Sequence, residues 1–287
     1  MDTALQLKIE YGHGKTFSAN EVAERLGKSV LVKELTSDFP EKPLALVWRL
    51  ICLSEIHSSE VLEYTQRLIS RVYEKLSTPF GFSLSGDEKM FLPCYNAMIV
   101  SALCRLGRAN DPQVKSALEW IHEFQPMQRG IEVKLPKFSF DRYGGCFKQT
   151  PCYIGLAKSV IALHYYQRTT HDQTYNEKLQ AGIDYMLEHR LFKRLSKDEP
   201  INKHITDISF PETYHLNVVE LIRFAGSAGL LQDDRTKDLV DHLKKRRLKN
   251  GNWRISFRYK ADGYTVFDKE RTHGEWVTDI ISGALDT

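Results

Sequence analysis

The chain has 287 residues, of which 42% are hydrophobic and 27% are charged, with a formal net charge of +3. This composition is typical of a folded globular protein and excludes a disordered or fibrous chain, and the small net charge predicts no nucleic-acid partner. No signal peptide is recognisable, and no run of about 20 apolar residues indicates a transmembrane segment. The five cysteines are therefore interpreted as reduced thiols or metal ligands, and a cytoplasmic location is expected.

Apolar residues at helical spacing begin near residue 19. An amino-terminal extension over 1–40 is expected to contain one short helix, near 19–36. The first helical hairpin follows near 43–76, where apolar side chains recur at i, i+3, i+4, i+7 and i+8. These patterns in the first third of the chain already predict an all-α fold.

A segment that begins with proline occurs twice and then returns in a weaker form. The copies cover 93–121, 151–186 and 211–243, and each has an apolar stretch, a polar break and a second amphipathic stretch. Repeats of this length are typical of stacked helical hairpins. Later hairpins are predicted at three positions: 93–125, 151–190 and 211–247. With a last helix near 274–285 this gives about ten helices, and because no linker is visible, 1–287 is predicted to form a single domain.

Shorter signals concern the ends of helices and the loops. Gly107, Gly226 and Gly229 stand where helices are expected to stop. Loops rich in glycine and aromatic residues lie between the hairpins, and the stretch 253–267 alternates well enough to predict a short strand.

Hairpin repeats with glycine-aromatic loops resemble the α/α-toroid of terpenoid cyclases and protein prenyltransferase β subunits. The Asn-Gly-Asn-Trp sequence at 250–253 resembles the end of their glycine–tryptophan repeat, and Gly-Glu-Trp at 274–276 resembles a weaker copy. The Cys-x5-Cys spacing of Cys146 and Cys152, with the Pro-Cys pair that ends at Cys94, is similar to small prokaryotic proteins of the prenyltransferase and squalene oxidase repeat type. Over about 43–285, the resemblance implies an incomplete α/α-toroid of about five hairpins around a central cavity.

The chain lacks the catalytic motifs of these families. It has no Asp-x-Asp-Asp sequence of the kind that donates the proton in squalene-type cyclases. Prenyltransferase β subunits bind zinc through an Asp-x-Cys pair, whereas Leu92, Gly144 and Thr150 stand two residues before the three cysteines. The resemblance therefore implies the fold and neither reaction.

Three cysteines form the first candidate site. Cys94 and Cys152 follow proline at predicted helix starts, where the helix dipole and free N–H groups lower the pKa of a thiol. Together with Cys146, and with His215 in the next repeat, they are a candidate Cys3His zinc site. The alternative is that cysteine, a small residue, packs well at a tight helix start.

Aromatic residues form the second candidate site. Tyr95, Tyr153 and Tyr214 stand at or beside the same position of successive repeats. With Phe147 they are expected to line one end of the cavity, where aromatic faces can stabilise a carbocation. Packing between repeats is the alternative.

Two charged segments remain. The basic run 244–249 stands at a predicted helix carboxyl end, where the dipole favours cations. It is either a solvated helix end or a site for a diphosphate, an acidic partner or anionic lipid. Asp233 and Asp234 resemble a diphosphate-binding aspartate motif, but their place in the repeat indicates a helix cap.

Three functions are compatible with these observations. The first is a prenyltransferase- or cyclase-like protein with a cavity for an isoprenoid or other apolar small molecule, with catalysis left open. The second is a non-catalytic helical-repeat module that binds a protein or peptide. The third is a zinc- or thiol-dependent enzyme that uses the three cysteines. The sequence leaves the oligomeric state open.

Overall fold

The computed structural model describes residues 1–131, 133, 146, 150–269 and 273–286, and these residues are mostly helical. They form twelve α-helices and one two-stranded sheet, so the prediction of a largely helical protein is confirmed. The chain divides into two compact units. The first unit comprises Met1–Leu179 and Ala261–Thr265, and the second comprises Gln180–Lys260 and Val266–Thr287. The single domain and the toroid stay predictions.

The amino-terminal extension holds three helices where the sequence predicts one. They are α1 (Thr3–Gly12), α2 (Ala19–Lys28) and α3 (Val30–Leu35). The side chain of Ser18 caps α2 in a capping box with Glu21, and the break before α3 is fixed by a second serine cap. Because Ser29 is both the C-cap of α2 and the N-cap of α3, the predicted single helix is divided into two short ones.

Two helices lie within each of the four segments predicted as hairpins: α4 (Pro43–Ser54), α5 (Glu63–Leu76), α6 (Pro93–Arg105), α7 (Pro112–Phe124), α8 (Tyr153–Thr170), α9 (Asn176–Glu188), α10 (Val218–Ser227) and α11 (Lys237–Lys245). The last helix is α12 (Glu275–Leu285). Strands β1 (Ser77–Thr78) and β2 (Gly81–Phe82) form a short antiparallel pair after α5. Among the described residues, no helix is both long and apolar enough to cross a membrane.

Helix α6 is the centre of the first unit. It packs most extensively against α8 and also against α4. Every residue of α6 from Pro93 to Cys104 is buried, as expected for a helix with neighbours on all sides. Helices α5 and α7 bury only one stripe each, and each pairs with the helix that precedes it, as in an α-hairpin.

In the second unit, α10 packs against α12. A side chain at Gly226 would lie 3.0 Å from the Ala284 carbonyl oxygen, so this glycine allows the two helices to approach closely. Gly226 therefore lies inside α10, and the prediction that it ends a helix is wrong. The prediction is confirmed at Gly107 and Gly229, which follow α6 and α10 with φ of 73° and 69°.

Two further expectations about the second unit are wrong. The third repeat begins its helix at Val218 rather than near Pro211, because the side chain of Asn217 accepts hydrogen bonds from the first turn of α10. No strand forms over 253–267 among the described residues, apart from an isolated bridge between Trp253 and Gly274. The stretch is held instead by hydrogen bonds to the carbonyl of Ile208.

Candidate functional site

The three predicted cysteines lie at the starts of α6 and α8. Cys94 is the second residue of α6, Cys152 is the N-cap of α8, and Cys146 is in the loop before it. Gly155, in the first turn of α8, lies against the start of α6. A side chain there would lie 3.6 Å from Cβ of Pro93 and 4.0 Å from the Cys94 nitrogen.

Cys146 and Cys152 form a hydrogen-bonded pair of thiols. The backbone N–H of Cys152 donates to the carbonyl of Cys146 at 3.0 Å, which holds the two residues together. The thiol of Cys146 donates to the sulfur of Cys152, and the N–H groups of Ile154 and Gly155 donate to the same sulfur. These donors lower the pKa of Cys152, whereas the shared hydrogen bond and burial raise the pKa of Cys146. Cys152 is therefore the thiol of the pair that ionises more readily.

Cys94 has the opposite character. Its side chain is 6% exposed, and burial, reinforced by the nearby charge of Cys152, raises its pKa to about 12. The N–H groups of a helix start do lower the pKa of Cys152, as predicted, although the thiol of Cys146 lowers it most; the pKa of Cys94 is raised instead. Desolvation outweighs the N–H groups at Cys94 because its sulfur is shielded from water.

A buried lysine completes this cluster. Lys158 lies on α8 and is 1% exposed, which is rare for a lysine. Its charge opposes the rise in the pKa of Cys94. We call Cys94, Cys146, Cys152 and Lys158 the thiol cluster.

The thiol cluster does not support the zinc prediction. The three cysteines belong to the first unit and His215 to the second. Among the described residues, no group of three or more His, Cys, Asp or Glu side chains is arranged to hold a metal ion. The Cys3His site stays a prediction.

His215 lies outside any helix and is part of a different cluster. Its ring centroid is 4.5 Å from that of His204, and the ring of Phe257 lies 4.7 Å from His204. Nδ1 of His204 is 2.8 Å from a carboxylate oxygen of Asp207. A carboxylate on Nδ1 fixes the tautomer of an imidazole and directs Nε2 outward, as in many general bases.

The predicted cavity residues occupy different settings. Tyr95 and Tyr153 are buried in the first turns of α6 and α8, and the ring of Tyr95 lies edge-on to Trp48 at 5.9 Å. Tyr214 is half-buried with its ring 5.3 Å from that of His215. Phe147 lies outside the described residues. Their shared role in a cavity stays a prediction.

Two cavities of about 490 and 480 Å³ lie elsewhere on the molecule. The first, in the second unit, is lined by charged residues between Glu188 and Asp198. The second, in the first unit, is lined by Phe39, Glu41 and residues of α5. Neither is lined by the thiol cluster or by the predicted aromatic residues.

Comparison with known proteins does not identify this chain, since no family model, no curated protein and no solved structure matches it.

Sequence reasoning missed two parts of these clusters. Lys158 stands in the apolar run Leu-Ala-Lys-Ser-Val-Ile, and a lone charge within a buried helix is a recognisable signal. His204 and Asp207 are three residues apart, a spacing that brings side chains together in a turn. Neither signal is specific without knowledge of the neighbouring segments.

Proposed function

We propose that this protein is a thiol-dependent enzyme in which Cys152 and Cys146 act together to reduce a disulfide. The observation that carries the proposal is the cysteine pair at the start of α8, where the N–H of Cys152 donates to the carbonyl of Cys146 at 3.0 Å and the thiol of Cys146 lowers the pKa of Cys152. A low-pKa cysteine beside a second cysteine is the arrangement that thiol–disulfide exchange requires.

The reaction has two steps. The thiolate of Cys152 attacks one sulfur of the substrate disulfide, which forms a mixed disulfide and releases the other sulfur as a thiolate. Cys146 then loses its proton and attacks the sulfur of Cys152, which forms the Cys146–Cys152 disulfide and releases the second substrate thiolate. Two electrons pass from the cysteine pair to the substrate, and a thiol reductant restores the pair.

The remaining residues of the thiol cluster fit supporting roles. Cys152 and Cys146 are half-buried, whereas Cys94 and Lys158 are buried. Cys94 at its raised pKa stays protonated and packs between the helix starts. A cytoplasmic location is part of the proposal, because a reducing compartment keeps such a pair as free thiols.

The incomplete α/α-toroid is the fold that we propose for this enzyme. It is supported by the order of packing in the first unit, where the first helices of successive hairpins, α4, α6 and α8, lie side by side. In such an array the amino ends of the first helices open on one face, and α6 and α8 carry their cysteines there.

A second candidate function is the binding of an isoprenoid or other apolar molecule. It is supported by Tyr95 and Tyr153, two buried aromatic rings in the first turns of adjacent helices. Mass spectrometry of an organic extract of the purified protein tests it. A stoichiometric prenyl or fatty ligand is expected, and an extract without one contradicts this candidate.

The thiol–disulfide proposal is tested by titration with Ellman's reagent, an aromatic disulfide whose thiolate product absorbs visible light. The wild type is expected to release two equivalents rapidly and to form the Cys146–Cys152 disulfide. Cys146→Ser should release one equivalent and keep one bound to Cys152, and Cys152→Ser should lose the rapid phase. Cys104→Ser, which removes a buried thiol of α6, should behave as the wild type.

Peptide mapping of the product decides between outcomes. A rapid phase that survives in Cys152→Ser would contradict the proposal. A stable mixed disulfide on Cys152 of the wild type would contradict the role of Cys146.

A further inference from the structure

The carboxyl end of α11 and the extended stretch that follows form one strongly basic segment. Residues 244–260 contain eight basic residues and no acidic residue, and all eight side chains are exposed. They are Lys244, Lys245, Arg246, Arg247, Lys249, Arg254, Arg258 and Lys260. We call this set the basic tract. Its charge exceeds the net +3 of the whole chain, so the remainder of the chain is net acidic.

Ion pairs with the carboxylates of the described residues do not neutralise the charges of the basic tract. Among the described residues, none of the eight forms an ion pair with a carboxylate. Arg246, Arg247 and Arg258 donate only to backbone carbonyls. Elsewhere in the same unit, Arg190 and Lys193 both pair with Asp238. Exposed cations without counter-ions raise the electrostatic potential of this surface.

The two halves of the basic tract lie next to each other. The backbone N–H of Leu248 donates to Asn252, which closes a turn between them. Arg246 donates to Thr206 and the N–H of Ser256 donates to Ile208, so both halves border the segment 206–208. Asp207, the acidic residue in that segment, is engaged by His204. The basic residues therefore form one surface.

The extended half of the tract places its charges outward and its rings inward. Exposure alternates from 253 to 260, with Arg254 and Arg258 exposed and Trp253 buried. The ring of Phe257 packs against His204. A single-stranded nucleic acid is bound largely by bases stacked on exposed rings, whereas Trp253 is buried and Phe257 and Tyr259 are half-buried.

A surface of four to eight lysines and arginines at the end of an amphipathic helix is instead suited to anionic lipid headgroups. Helix α11 has this form, with Leu239 and Leu243 buried and its last turn basic. We propose that the basic tract docks the protein on the anionic surface of a phospholipid bilayer. The contact is peripheral and electrostatic, and it is independent of the thiol chemistry.

Vesicle co-sedimentation tests this proposal with the full chain. The protein should sediment with phosphatidylcholine vesicles that contain about 30% phosphatidylserine, and it should remain in solution with phosphatidylcholine alone. The triple variant Lys244→Gln, Lys245→Gln, Lys249→Gln should lower the partition coefficient roughly 100-fold, since each cation contributes separately to binding. Salt should release the wild type by screening the charges.

A matched variant distinguishes the effect of the charges in the basic tract from the effect of the net charge of the whole chain. Lys28→Gln, Lys33→Gln, Lys115→Gln removes three exposed lysines of the first unit, and it should bind as the wild type. An equal loss in both triple variants would overturn the proposal, as would sedimentation that does not depend on phosphatidylserine. Tight binding of a single-stranded RNA without vesicle binding would assign the tract to nucleic acid instead. Circular dichroism of each variant checks that the helices are retained.

Discussion

The hydrogen bond between Cys146 and Cys152 gives the most direct test of the thiol cluster. Cys146→Ala removes the donor that contributes most to the low pKa of Cys152, while the N–H groups of Ile154 and Gly155 remain. Cys146→Ser keeps an O–H donor at the same position and is the matched control. We expect the alanine variant to raise the pKa of Cys152 and the serine variant to change it less.

The size of the effect follows from the kind of hydrogen bond. A hydrogen bond to a charged group contributes about 1.5 to 3 kcal/mol, and the lower value applies here because Cys152 is half-buried. Since one pKa unit corresponds to about 1.4 kcal/mol, Cys146→Ala should move the pKa of Cys152 upward by about one unit. At a pH below that pKa, the fraction of thiolate should fall about tenfold.

The assay is alkylation with iodoacetamide over a range of pH, with each cysteine followed by mass spectrometry of its peptide. The midpoint of the rate for Cys152 reports its pKa, since only the thiolate reacts. Cys94 and Cys104 are internal references, because burial raises the pKa of both to about 12. They should stay unlabelled at neutral pH until denaturant is added.

Two results would refute this reasoning. If neither Cys146→Ala nor Cys146→Ser changes the pH midpoint of alkylation at Cys152, the thiol of Cys146 is not a hydrogen-bond donor to Cys152. If Cys94 is alkylated in the native protein as rapidly as Cys152, the cysteines do not occupy the different environments described above. Either result would remove the basis for assigning Cys152 as the nucleophile.

Two structural predictions accompany this one. Asp268 accepts hydrogen bonds at 3.0 Å from the N–H groups of Trp276 and Val277 at the start of α12. Asp268→Ala should therefore lower the free energy of unfolding, measured by urea denaturation, by about 2 to 4 kcal/mol. Asp268→Asn should lower it by less. Burial raises the pKa of Asp268 above 3.8, so the contribution of Asp268 to the free energy of unfolding is greatest below that pH and is lost as the pH rises through the folded-state pKa. The stability of Asp268→Asn relative to the wild type should therefore increase from about pH 4 to about pH 7. A stability difference that does not change with pH would contradict the raised pKa. Gly226→Ala should destabilise the protein by about 1 to 3 kcal/mol because the added carbon meets Ala284, whereas Gly283→Ala, with no atom within 4 Å, should stabilise it by about 0.5 kcal/mol. Thermal melts of both variants check the opposite signs.

The helices are predictable from the sequence because local signals and burial agree. Pro43, Pro93 and Pro112 each occupy the first turn of a helix, and Gly107 and Gly229 follow the ends of α6 and α10. Where a glycine serves packing between helices, as Gly226 does, the same residue type misleads. Only the neighbouring helix distinguishes a helix stop from a close contact.

The strand predicted over 253–267 fails for a similar reason. Alternation of apolar and polar residues indicates which side chains are shielded from water, and here Trp253 is buried and Phe257 half-buried, whereas Arg254 and Arg258 are exposed. A strand also needs a partner, and in this segment the backbone of Ser256 bonds to Ile208 instead. The sequence therefore predicts the pattern of burial correctly and the hydrogen bonding incorrectly.

The cysteines show why the site was harder to predict than the helices. Both Cys94 and Cys152 follow a proline and precede a tyrosine, so the two repeats look equivalent. In α6 the proline is the first helical residue, which places Cys94 inside the first turn, whereas α8 begins two residues later relative to its proline and leaves Cys152 as the N-cap. A sulfur at the N-cap accepts from the free N–H groups of the first turn, but one residue inside the helix it is turned against the neighbouring helix and loses water. The small offset in where the helix starts thus leaves Cys152 with a lowered pKa, although its proline–cysteine–tyrosine sequence is the same as that of Cys94, whose pKa is raised.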